Sequence, residues 1–143
     1  MSVHSFLLKA HWEGGLNGVG VLDTGNLKTK ISVPREMDGP GIGTNPDEML
    51  LGAAATCYMI TLAAMLEHAH ISVSELSMES EGMVEVKKGV LSYKTIIYRP
   101  TVILVNHDQI ELAQKLADKA EKNCMISRAL KGNVQIMLQA NIY

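Results

Sequence analysis

The sequence predicts an α+β fold: mostly antiparallel sheets packed with a long buried central helix and a second helix. Three observations predict it. Short β-compatible runs fill the first third of the chain. A long helix without charge follows. Two further β runs, a second helix and a last strand complete the order. Strands and helices in separate blocks, rather than strict βαβ alternation, mark this class.

The 143 residues suffice for one domain with one sizeable core, and residues 1–143 are read as a single domain. Hydrophobic residues make up 47% and charged residues 20%, a balance that excludes a disordered chain. Net charge is −2, and the longest basic cluster is Lys87–Lys88. No partnership with nucleic acid or an anionic membrane is expected from that. The first ten residues lack a basic segment followed by a long apolar stretch, so no signal peptide is expected. With two cysteines and no bridge framework, the expected location is the reducing cytoplasm.

Ser5 to Glu13, Gly18 to Leu22 and Leu27 to Val33 read as strands, separated by Gly14–Gly15 and by a turn from Asp23 to Asn26. Pro34 to Thr44 holds three glycines and two prolines and reads as a loop. A helix should then run from about Pro46 to Ala69. Asn45 can cap it, Pro46 fits the first turn, and Asp47 and Glu48 place negative charge at the positive end of its dipole. Met49 to Leu66 carries no charge, and about 18 such residues reach the lower limit for a membrane span. Its Ala, Gly and Thr content, its acidic flanks and its lack of Lys or Arg anchors favour a buried core helix instead. A helix apolar all round is hard to cover in a chain of this size, so a homodimer is expected.

Ser74 to Val86 and Leu91 to Val105 read as strands joined by a Lys-Lys-Gly turn. In the segment His107 to Asn123, Ile110, Ala113, Leu116, Ala117 and Ala120 share one helical face. A short turn from Ile126 to Leu130 leads to a last strand, Asn133 to Ile142. Trp12 and the nine methionines are assigned to the core.

The chemistry rests on Cys57 and Cys124. Thiol redox work needs a thiolate, a group that lowers its pKa, and a second thiol to regenerate it. Cys57 lies about three turns into the apolar helix, beyond the reach of the helix dipole, and burial alone would make it inert. Activation therefore calls for a cation, and Arg35, in the glycine-rich loop before the helix, is the candidate. Cys124 sits at a helix end, where the backbone can move as a resolving cysteine must. Ser127 and Arg128 follow and can orient the turn. From the residues alone, two buried structural cysteines remain an open alternative, because free cysteine is among the most buried residue types.

The segment from Gly43 to Cys57, GTNPDEMLLGAAATC, resembles the signature of the OsmC/Ohr family. His11 to Gly14 resembles the first strand of the OsmC branch, and Ala120 to Ser127 resembles the segment with the second cysteine. The resemblance implies an intertwined homodimer with two sites at the subunit interface and an apolar pocket suited to organic hydroperoxides. It implies Cys57 as peroxidatic thiolate, Cys124 as resolving thiol, and a small dithiol reductant, typically lipoyl-type. Arg35 matches the family's arginine, and Asp47 matches the glutamate that holds it. No metal or organic cofactor is implied. Asp47 is one methylene shorter than that glutamate, with Glu48 beside it. The loop after Arg35 is longer than usual, and Met125 stands where many members have proline.

Other readings belong to different classes. A non-catalytic thiol sensor or a binding protein for an apolar ligand would use the same helix. Zinc held by Cys57 with His68 and His70 lacks a ligand motif, and no histidine is marked as the base of a cysteine peptidase.

Overall fold

The computed structural model describes all 143 residues, which fold as two compact units, Met1–Met49 and Leu50–Tyr143. The first holds an antiparallel sheet of β1 (Lys9–Glu13), β2 (Val19–Asp23) and β3 (Lys28–Ile31). The expected first strand began at Ser5, but pairing starts at Lys9, opposite Asp23, where β2 ends. Without a partner strand residues 5–8 have no ladder, and Phe6, Leu7 and Leu8 are exposed. The turn after β2 is an Asx turn, with the Gly25 amide donating to Asp23 Oδ1 at 2.7 Å. Trp12 is not in the core as expected. It is 40% exposed, and its indole N–H donates to the Gly15 carbonyl at 3.0 Å, latching the β1–β2 turn.

Helix α1 runs Pro46–His68. Asn45 caps it reciprocally: the Glu48 amide donates to Asn45 Oδ1 at 2.9 Å, and Asn45 Nδ2 donates to Glu48 Oε1 at 2.7 Å. In the second unit α1 buries Ala54, Tyr58, Leu62 and Leu66, one stripe at four-residue spacing. On the far side Ala53, Thr56, Ile60 and Ala63 stay exposed, Ile60 at 71%. The second unit therefore covers only one face of a helix that is apolar all round.

Strands β4 (Val73–Lys87) and β5 (Val90–Leu104) form a long antiparallel hairpin. Lys88 and Gly89 close it, both at positive φ, as a two-residue hairpin turn requires. Helices α2 (Ile110–Asn123) and α3 (Met125–Leu130) come next, so the expected turn after Cys124 is a short helix. The expected single last strand is two, β6 (Gln135–Leu138) and β7 (Asn141–Ile142), both parallel to β5. Pro100 explains the gap. Tyr98 and Val102 accept from Gln139 and Tyr143 on this edge, so the nitrogen of Pro100 faces it too, and it has no proton to donate.

The core of the second unit joins the α1 stripe to Ile96, Tyr98, Val102 and Leu104 of β5, Ala113, Ala117 and Ala120 of α2, and Cys124. The small alanine face of α2 makes room for Tyr58, whose hydroxyl donates to the Ala117 carbonyl at 3.0 Å. No methionine is fully buried; Met65 and Met78 pack at the core's margin. Leu62 lies at the centre of the α1 stripe with no exposed surface. Leu62→Ala should lower the unfolding free energy by about 2–5 kcal/mol, measured by urea denaturation.

Candidate active site

Cys57 sits between the buried and exposed stripes of α1 and is half-buried. Cys124 is fully buried at the junction of α2 and α3. Its backbone is extended, at φ −63° and ψ 123°, while its N–H still donates to the Ala120 carbonyl at 2.9 Å. One residue thus ends one helix and starts another. The first amides of a helix have no carbonyl within it to bond. Here the amides of Met125 and Ile126, with the Cys124 side chain, lie beside the sulfur of Cys57 and favour its charged form.

These contacts set the charge of the site. Burial pushes the Cys57 thiol up. The Ile126 amide, the Cys124 side chain, the Met125 amide and Thr61 push it down and prevail, so Cys57 lies below the ordinary thiol value. The Thr61 hydroxyl also donates to the Cys57 carbonyl at 2.8 Å, and its single proton serves the carbonyl or the sulfur at one time. Cys124 goes the other way. Burial raises it, the Ser127 hydroxyl and amide lower it, and the hydrogen bond and charge of Cys57 raise it again, to a net upward shift. Of the pair, Cys57 is the thiol that ionises first and Cys124 the one that keeps its proton longer. Beside the cation that the sequence calls for, backbone amides also favour the Cys57 thiolate.

Behind Cys124, Ser127 is buried at 4% exposure, and its Oγ lies 2.9 Å from the Tyr98 hydroxyl. The Tyr98 ring stacks on Tyr58, with centroids 4.8 Å apart and planes 19° apart. Burial pushes the Tyr98 phenol up to about 12, so it stays protonated.

Of the four site residues drawn from the sequence, Cys57 and Cys124 come together. Arg35 opens a 3-10 turn, Arg35–Met37, in the first unit and is exposed. Its side chain crosses Gly41 so closely that a Cβ there would sit 2.3 Å from Arg35 Cγ, and Gly41 has φ +63°. Only glycine suits that position. Asp47 lies half-buried in the first turn of α1. Glu48 beside it is engaged in the helix cap. The sequence reading missed Thr61, Tyr98 and the two amides. Thr61 could have been found one turn after Cys57; an amide has no residue code.

A family model described as OsmC-like protein matches residues 39–139. The uncharacterized protein YmaD of Bacillus subtilis (strain 168) is 59% identical over 145 residues, covering 99% of this chain and 97% of that protein. The organic hydroperoxide resistance protein of Xanthomonas axonopodis pv. citri (strain 306) is 30% identical over 128 residues, covering 87% of each. Among solved structures, an organic hydroperoxide resistance protein OsmC from Legionella pneumophila matches with a TM-score of 0.76 at 27% identity, covering 99% of each chain.

The opposed shifts predict that iodoacetamide near neutral pH alkylates Cys57 before Cys124. Thiolate is the reactive form, so the Cys57 rate should rise with pH and level off below the ordinary thiol range. Cys124→Ala removes one donor and should move that midpoint upward.

Proposed function

We infer the function from a fixed premise: the chain belongs to the OsmC-like protein family. Its α+β architecture is that of the family's solved structures. The proposed role is resistance to peroxides, exercised as a thiol-dependent peroxidase that reduces organic hydroperoxides to alcohols. The observation that carries this reading is the asymmetric pair: half-buried Cys57, held below the ordinary thiol range, beside fully buried Cys124, held above it.

In the first step the Cys57 thiolate attacks the terminal oxygen of the hydroperoxide. The O–O bond breaks, the alkoxide takes a proton and leaves as alcohol, and Cys57 becomes a sulfenic acid. In the second step the Cys124 sulfur attacks the Cys57 sulfur. The S–S bond forms, the S–O bond breaks, and the hydroxyl leaves as water with the proton given up by Cys124. A small dithiol, of the lipoyl type by the family resemblance, then reduces the disulfide and is itself oxidised to a disulfide. Arg35 supplies the guanidinium for the leaving oxygen. Asp47 holds it, since Glu48 is engaged in the cap.

The exposed stripe beside Cys57 supports two further points. Ala53 and Ile60 are its helical neighbours on that side. Apolar surroundings there suit a bulky organic peroxide better than hydrogen peroxide. The same stripe requires cover, which a second copy supplies in a homodimer. Cytoplasmic residence fits a site that must be kept reduced between cycles.

The test is steady-state consumption of cumene or tert-butyl hydroperoxide with a dithiol, beside the same assay on hydrogen peroxide. Turnover should favour the organic substrates. Cys57→Ser should fall to background, and Cys124→Ser should complete one oxidation and stall. Wild-type protein with two free thiols and no turnover would reject the enzyme in favour of a sensor or a binding protein. Arg35→Ala should slow peroxide reduction while Cys57 still titrates below the ordinary thiol range, because its amide donors remain.

A further inference from the structure

We propose that Ser127, held by Tyr98, is the positioning residue that readies Cys124 for disulfide formation by donating its hydroxyl proton to the Cys124 sulfur. The proposal rests on the peroxidase reading and concerns its second step. Cys124 and Tyr98 are fully buried and Ser127 is 4% exposed, so little water competes for these groups. A serine on a helix can satisfy its hydroxyl locally, on a carbonyl one turn back. Ser127 instead meets the Tyr98 hydroxyl at 2.9 Å, three residues after Cys124 in the first turn of α3.

Either hydroxyl can donate across the Tyr98–Ser127 contact, and one direction makes a continuous chain. Tyr98 is a protonated phenol with one proton, and Ser127 has one proton and two lone pairs. If Tyr98 donates to Ser127, Ser127 is free to donate to Cys124, and Cys124 donates to the Cys57 thiolate. Each proton is then used once. Tyr98 cannot turn away easily, because its ring is stacked on Tyr58, which is itself anchored on the Ala117 carbonyl.

The arrangement orders the two chemical steps. While Cys57 is a thiolate, its charge keeps the proton on Cys124. Oxidation turns Cys57 into a neutral sulfenic acid and removes that charge. Cys124 must now give up its proton in a buried place, where Ser127 is the side chain that donates to it. Hydrogen bonds to an anion are stronger than those to a neutral group, so Ser127 favours the attacking form.

The experiment has two arms. In the Cys57→Ser background, the ultraviolet absorbance of the Cys124 thiolate is followed against pH. Adding Ser127→Ala should cut the thiolate fraction about tenfold at a given pH, the effect of losing one hydrogen bond to a charged group, and Ser127→Thr should restore it. In protein with both cysteines, one equivalent of cumene hydroperoxide is mixed rapidly. Ser127→Ala should leave loss of the Cys57 thiol at its wild-type rate, slow disulfide formation about tenfold, and leave sulfenic acid open to trapping by dimedone. Tyr98→Phe keeps the ring stack and should show a smaller slowing of the same kind, which keeps the proposal testable if Ser127→Ala does not fold. Unchanged Cys124 titration and unchanged disulfide formation in folded Ser127→Ala would overturn it. A wild-type protein that forms no disulfide with peroxide would instead defeat the peroxidase reading, and the titration arm would still decide whether Ser127 bonds to Cys124.

Discussion

The structure of the second unit turns on the break at Cys124. A helix that begins inside a protein exposes amides that water cannot reach, and unpaired amides in such a place are costly. The amides of Met125 and Ile126 lie beside the sulfur of Cys57, which can accept from them. The contact ties α1 to the α2–α3 junction, and Ser127 ties the junction to β5 through Tyr98. Fold and chemistry therefore share the same atoms. The partner that satisfies the amides is also the group that must become a nucleophile.

Two sulfurs in one buried place would both be pushed toward the neutral thiol by burial alone. They differ because the donors are distributed unequally. Cys57 receives two amides and the thiol of Cys124; Cys124 receives Ser127 and faces the charge of Cys57. The asymmetry comes from the backbone geometry at one residue, the extended conformation of Cys124 between two helices. A continuous helix through residue 124 would close those amides onto its own carbonyls and take them away from Cys57. Met125 is not a proline, so it keeps its N–H and can supply one of the two donors.

Much of the fold was legible because its signals are local. Asn45, Pro46, Asp47 and Glu48 announce the start of α1, and the alanine face of α2 is written at helical spacing. The last strand was misread because Pro100, the cause of its division, lies on a different strand some forty residues earlier. Trp12 was misplaced because its size suggested the core, whereas its N–H is needed in a turn. Of the site, the two cysteines could be read from sequence context. The amides beside Cys57 could not, since tertiary packing brings them to α1 from residues 125 and 126. A rule that looks for side-chain cations finds Arg35 but has no way to find Ile126.

The central claim is that Cys57 reacts first and that Cys124 closes on it within one chain. Its most direct test is mass spectrometry of protein treated with one equivalent of cumene hydroperoxide, digested without reductant. The account predicts a single Cys57–Cys124 cross-linked peptide pair, with the intact chain lighter by two hydrogens. Cys57 carried to sulfinic acid with Cys124 still alkylatable, or a disulfide linking two chains, would contradict it.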